Sequence, residues 1–285
     1  SKEKAATLNK LKELQNAMGA FSWFKGGPDD RYMTQYILTG IGHLIKLHAL
    51  TDEEYSNIKP VIERALPYLD SKLKEEYDAL KRNTKDMKAN HLSYTAIQFL
   101  YMRSFFSAFP VAGNTQTALN YFKQQSQQYW MQKSKYMQAM IALALSRMND
   151  SKTPVAIIAS LKENAILSEE MGMYWKEFTA RGYYWYQSPV ESQSLMIEAF
   201  AEIDKNTITV DNLKTWLLKQ KQTQHWGTTR ATAEACYALL MNGSKWLQEE
   251  KNIVINAGNT TIKSADETTE AGTGYFKKII PGEKV

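Results

Sequence analysis

In RYMTQYILTGIGHL the apolar or small residues Met33, Tyr36, Ile37, Gly40, Ile41 and Leu44 recur at i, i+3, i+4, i+7 and i+8, which places them on one face of a helix. The same spacing joins Leu92, Ala96, Phe99 and Leu100; Met137, Met140, Ile141 and Ala144; Met196, Ala199, Phe200 and Ile203; and Ala235, Cys236, Leu239 and Leu240. It predicts five apolar helices, beginning near Arg31, His91, Lys135, Val190 and Thr229. Between them run narrower stripes: Leu8, Leu11, Leu14 and Met18; Val61, Ile62, Ala65, Leu66 and Leu69; Val155, Ile158 and Leu161; Leu213, Trp216 and Leu217. Their other faces carry Lys, Glu, Asn and Gln, as in helices with one side in water. Start signals agree with these positions. Thr51 with Glu54 and Ser188 with Glu191 read as capping boxes, and Pro154 and Pro189 sit where a first helical residue tolerates a missing N–H.

Apolar helices that recur every 40 to 60 residues or so, alternating with half-polar ones, describe repeated helical hairpins. A double ring of helices, the α/α toroid, requires this alternation, because its inner helices touch both the centre and the outer ring. An open solenoid of helical pairs gives a similar pattern. The expected fold is all-α, an α/α toroid over residues 1–249, followed by a short β segment over residues 250–285. After Glu250 the helical stripe ends, and KNIVINAGNTTIKSADETTEAGTGYFKKIIPGEKV offers NIVI and FKKII as strands around Gly258, Gly272 and Gly274. A β domain of that length is too small to stand alone, so these strands read as the start of a flanking domain.

A length of 285 residues with 44% hydrophobic, 12% aromatic and 23% charged residues suits a globular chain with a large core. The net charge of +5 is spread along the sequence without a basic block, which argues against a nucleic-acid partner. No apolar run is long enough to span a membrane. The opening SKEKAATLNK lacks the apolar core of a signal peptide and reads as the edge of a fragment.

Candidate chemistry is sparse. The lone cysteine, Cys236, lies inside a predicted helix beside Ala235, Leu239 and Leu240, with no second cysteine and no histidine in phase, and reads as a small core residue. His43 and His48 are five apart and so lie on different helix faces; with His91 and His225 they form no zinc motif. His91, at the start of a helix, could stand at a ring mouth. Glu191, Glu198, Glu202 and Glu234 could supply a glycosidase pair. The capping box accounts for Glu191, however, and an i, i+4 solvated row for Glu198 and Glu202. Gly272 to Gly274 lacks the strand-to-helix context of a phosphate loop, and no nucleophile elbow or Walker motif is present. The aromatic run Tyr183 to Gln187 could bind sugar or peptide in a concave ring, or fill a core. The expectation is therefore no catalytic, cofactor-binding or metal-binding residue.

Three segments resemble the α2-macroglobulin and complement family. GAFSWFKGGPDDRYMTQYILTGIGHL, from Gly19 to Leu44, is similar to a Gly-x-Phe turn followed by an inner helix. VESQSLMIEAFAEI, from Val190, and TWLLKQKQTQHWGTTRATAEACYALL, from Thr215, resemble two later helices, in the same order. The closest flavour is that of bacterial members of the cell envelope. The resemblance implies a toroidal thioester domain set in a β-sandwich domain of a large protease trap, with target proteases and neighbouring β-sandwich domains as partners. In active members a Cys-x-Glu-Gln segment forms an internal thioester; here Cys236 is followed by Tyr237, Ala238 and Leu239. In relatives that segment lies upstream of the Gly-x-Phe turn, which corresponds to chain before Ser1, so either the fragment starts after that loop or the parent lacks a thioester. Some complement relatives also use a histidine to redirect the thioester, and His91 falls in a roughly corresponding region. The readings left open are a carbohydrate-active enzyme on the same toroid and a helical-repeat binding module.

Overall fold

The computed structural model describes residues 2–178, 188–223, 226–241, 254–257 and 260–263. His225, the Tyr183–Gln187 aromatic run, Gly258, FKKII and the Gly272–Gly274 turn lie outside the described residues. The chain divides into two units, Ser1–Leu239 and Leu240–Val285.

The first unit is mostly helical. Its helices are α1 (Lys2–Leu14), α2 (Arg31–Lys46), α3 (Asp52–Asn83), α4 (Tyr94–Arg103), α5 (Gly113–Tyr129), α6 (Lys135–Arg147), α7 (Thr153–Glu163), α8 (Pro189–Ala199), α9 (Thr207–Thr223) and α10 (Thr229–Leu240). A two-stranded antiparallel hairpin, β1 (Ile166–Ser168) with β2 (Gly172–Tyr174), lies between α7 and α8, and α8 runs on into a π-helical turn over Phe200–Asp204. Even-numbered helices pack on one another in order, α2 on α4, α4 on α6 and α6 on α8. Odd-numbered ones back them, with α3 on α2, α5 on α4, α7 on α6 and α9 on α8. Side chains of α10 reach α2 and α8, since Tyr237 stacks on His43 and bonds Glu198. The even-numbered helices are the five apolar helices of the sequence pattern, and α4 and α6 are buried over most of their length. The narrower stripes became α1, α3, α7 and α9. Met18 lies beyond the end of α1 and is exposed, as are Leu14 and Val155.

Local signals set several boundaries. Thr51 forms the complete capping box with Glu54, whereas the Ser188 side chain makes no cap bond. Thr228 Oγ1 accepts the Ala231 N–H at 3.0 Å and caps α10. The Gly-x-Phe turn depends on its glycine. Gly19 has a φ of 87°, and a Cβ there would lie 2.1 Å from the Arg64 carbonyl oxygen. Beyond it Ala20 and Phe21 are buried, and the Phe21 N–H donates to Thr34 Oγ1 at 2.9 Å, fastening the turn to the first turn of α2. Gly42 lets α2 approach the turn that follows α4, for a Cβ would meet the Phe105 ring at 2.6 Å.

In the second unit β3 (Val254–Ala257) pairs antiparallel with β4 (Thr260–Lys263), Ile255 opposite Ile262. Ile262 is buried and Val254 and Ile255 are exposed. The strand expected in NIVI is present in its second half, and β4 adds a partner that the sequence pattern did not indicate.

Candidate functional site

The even-numbered helices do not meet over a wholly apolar seam. Toward their C-terminal ends they turn charged groups on one another. Arg147, at the end of α6, reaches two acids of the α8 segment. Its Nη2 donates to Glu198 Oε1 at 2.5 Å and to Glu202 Oε1 at 2.5 Å, and its Nε donates to Glu202 Oε2 at 3.0 Å. Lys46 of α2 pairs with Glu202 as well. Glu198 is 1% exposed. Besides Arg147 it accepts hydrogen bonds from Tyr237 of α10 at 2.7 Å and from Tyr101 of α4. The Arg147 guanidinium also lies 4.2 Å from the centre of the Phe105 ring.

His43 completes this tier. Its ring stacks on Tyr237 at 3.6 Å, and its Nε2 lies 3.0 Å from the Tyr101 hydroxyl. Tyr101 gives its own proton to Glu198, so Nε2 is the donor of that bond and Nδ1 carries the lone pair. Burial, with Arg147 and Lys46 adding, pushes the imidazole down to about 3. His43 is therefore neutral, and its 3.8 Å approach to Glu234 is not an ion pair. Burial pushes Tyr101 and Tyr237 upward, with Glu198 adding to both.

The N-terminal ends of the same helices carry a second polar tier. Tyr32 and Tyr36 come from α2, Tyr94 from α4, Tyr136 from α6, Glu191 from α8, and Arg230 and Glu234 from α10. Arg230 Nη1 donates to the Tyr32 hydroxyl at 2.8 Å, and its guanidinium lies 4.9 Å from the centre of the Tyr36 ring. Burial pushes Tyr32 up to about 12 and raises Tyr36, Tyr94 and Tyr136. Burial also pushes Glu234 up to about 7, with Arg230 opposing and Glu198 and Glu191 adding. Glu191 is buried and its Oε2 has no hydrogen-bond partner among the described residues.

These placements correct three expectations. Glu198 and Glu202 are not a solvated row, because α8 is buried from Glu191 through Ala199 and packs on both α6 and α9. Glu191 does not close a capping box. Cys236 is exposed: the buried face of α10 runs through Ala231, Ala235 and Ala238, rotated away from Cys236 and Leu240. His48 is exposed, in a left-handed conformation just past α2. His91 bonds to neither tier: its Nε2 lies 2.8 Å from the Asp86 carbonyl oxygen, and its backbone N–H donates to Gln125 Oε1 at 2.8 Å. No group of three metal-ligating side chains occurs among the described residues. Nor is any described helix long and apolar enough to cross a membrane.

Arg147, Lys46, Tyr101 and Tyr237 were not found from sequence. Tyr32, Tyr94 and Tyr136 of the other tier were missed too, although RYM, SYT and KYM place each of them in the first turn of α2, α4 and α6. Against protein-family models and curated proteins the chain matches none.

Proposed function

We propose that this chain is the helical thioester-type domain of an α2-macroglobulin-like protease trap, an α/α toroid that acts as a scaffold and not as an enzyme. The observation that carries the reading is the convergence of the three resembling segments. They supply α2, α8 and α10, and these meet through His43, Glu198 and Tyr237, three residues distant in sequence that bond or stack on one another. Two of the four candidate acids point the same way. Glu198 and Glu202 have their oxygens taken up by Arg147, Lys46 and two tyrosines, so neither is available to a glycosidic oxygen. In the full protein the ring is held against β-sandwich domains at a bacterial cell envelope until a protease cuts a bait segment, and the released domains enclose that protease. Without Cys-x-Glu-Gln in these residues, capture by this chain's own groups is non-covalent.

The test uses the parent protein with trypsin and chymotrypsin. A trap leaves hydrolysis of a small chromogenic peptide intact while hydrolysis of a large protein substrate drops several-fold. Unchanged activity on both substrates, or equal loss on both, would overturn the reading.

A further inference from the structure

Between α3 and the segment 109–112, which leads into α5, lies a cavity of about 440 Å³. Glu63, Pro67, Pro110 and Ala112 on its margin are exposed, so it opens to solvent. Its α3 wall consists of Glu63, Leu66, Pro67 and Asp70, an acid at each end with apolar surface between them. These positions, i, i+3, i+4 and i+7, share one helix face, and the two acids stand about 10 Å apart along it. No described basic side chain lines the cavity.

The Asp70 end is fixed from behind. Arg103, itself buried, donates through Nε to Asp70 Oδ1 at 3.2 Å, through Nη1 to the Phe106 carbonyl oxygen at 2.8 Å and through Nη2 to that of Phe109 at 2.9 Å. One guanidinium thus holds both the floor and the facing wall. Asp70 is 4% exposed, and its Oδ2 has no donor among the described residues, yet that oxygen is not sealed off, because the side chain keeps 6% of its surface. Burial raises the Asp70 carboxyl and Arg103 opposes, so one cation has not offset the desolvation. At the other end Pro67 has no N–H to give the Glu63 carbonyl oxygen, and the exposed Glu63 carboxylate pairs loosely with Lys59 at 3.6 Å.

We propose that this cavity binds an aliphatic diammonium of the polyamine class, with one ammonium on Asp70 Oδ2, the other on Glu63, and the methylenes between them against Leu66, Pro67 and Phe109. Charge and shape select the class. An anion would face two carboxylates. A neutral apolar molecule would cover Asp70 Oδ2 without giving it a donor. A guanidinium binds a carboxylate best through both oxygens, and Arg103 already holds one of them, whereas an ammonium is a point donor. A hard metal ion requires more oxygen ligands than these apolar walls supply. The site stands whether or not the chain belongs to a protease trap.

Calorimetric titration of the full chain with cadaverine tests the proposal, with pentylamine, pentanediol and glutarate as singly cationic, neutral and anionic comparators of the same length. Cadaverine should bind saturably at one site, pentylamine about tenfold more weakly, and the diol and glutarate not measurably. Asp70→Asn and Glu63→Lys should each weaken cadaverine by about tenfold or more, through loss of a charge-assisted bond. Glu63 is exposed, so its variant keeps the fold and decides the matter even where Asp70→Asn loses it, as circular dichroism would register. Absence of cadaverine binding overturns the proposal. So does binding indifferent to Glu63→Lys, or a comparator that binds as tightly as the diamine.

Discussion

Cys236 sits one position beyond the buried residue Ala235, and that single step decides its chemistry. The spacing Ala235, Cys236, Leu239, Leu240 fits a helix face as well as Ala231, Ala235, Ala238 does, because small and apolar residues occupy both. Only packing distinguishes them. An exposed thiol makes no cavity when shortened, so Cys236→Ser should shift unfolding free energy by less than about 0.5 kcal/mol. In the folded chain a thiol reagent such as DTNB should titrate one group without denaturant. Slow labelling that denaturant accelerates would mean that Cys236 is buried after all.

At the scale of elements, α8 shows what a hydrophobic pattern cannot record. A glutamate that faces water and a glutamate that faces a buried arginine are the same letter at the same spacing, and the i, i+4 pair Glu198 and Glu202 suited either. The pattern located the even-numbered helices well because their apolar stripes are broad. It passed over α5, whose buried face mixes Ala118, Leu119 and Phe122 with Thr115, Gln125 and Ser126. Gln125 is there for its bonds, accepting from His91 N–H and donating to the Ala89 carbonyl oxygen at 3.0 Å. Glu198 is likewise explained by partners on other helices. Glu198→Ala would leave two tyrosine hydroxyls without an acceptor and Arg147 with Glu202 alone, and should cost about 2 to 3 kcal/mol, the upper range for buried donors left unsatisfied. Urea unfolding at constant pH measures it. A cost under about 1 kcal/mol would show that the three donors find water or other acceptors.

For the molecule as a whole, two buried groups set opposing dependences on pH. Glu234 is raised from 4.5 to about 7, so the folded chain holds its proton more tightly than the unfolded chain; that contribution is complete below 4.5 and lost as pH rises through 7. His43 is lowered from 6.5 to about 3, so its contribution is complete above 6.5 and lost as pH falls through 3. Around Glu234 stand His43, Arg230, Glu191 and Glu198. Between 4.5 and 6.5 the two slopes cancel, and stability should be level there. Replacing Glu234 by Gln leaves the His43 slope alone, so the level region should become a rise with pH on the order of 2 kcal/mol. Thermal unfolding across that range reads the difference, and a variant as level as the wild type would refute the assignment. The contacts between distant helices have a further consequence, for the order in which the chain acquires structure. Tyr101 and Glu198 are 97 residues apart in sequence, and Arg230 and Tyr32 are 198 apart. In a stacked array of hairpins each unit leans only on its neighbours, and the ends can unravel while the middle stands. Here Arg230 of α10 bonds Tyr32 of α2, so these two helices hold each other in place across most of the unit's sequence. Folding must wait for long loops to close before these bonds can form, and the helical unit gains its stability late and together.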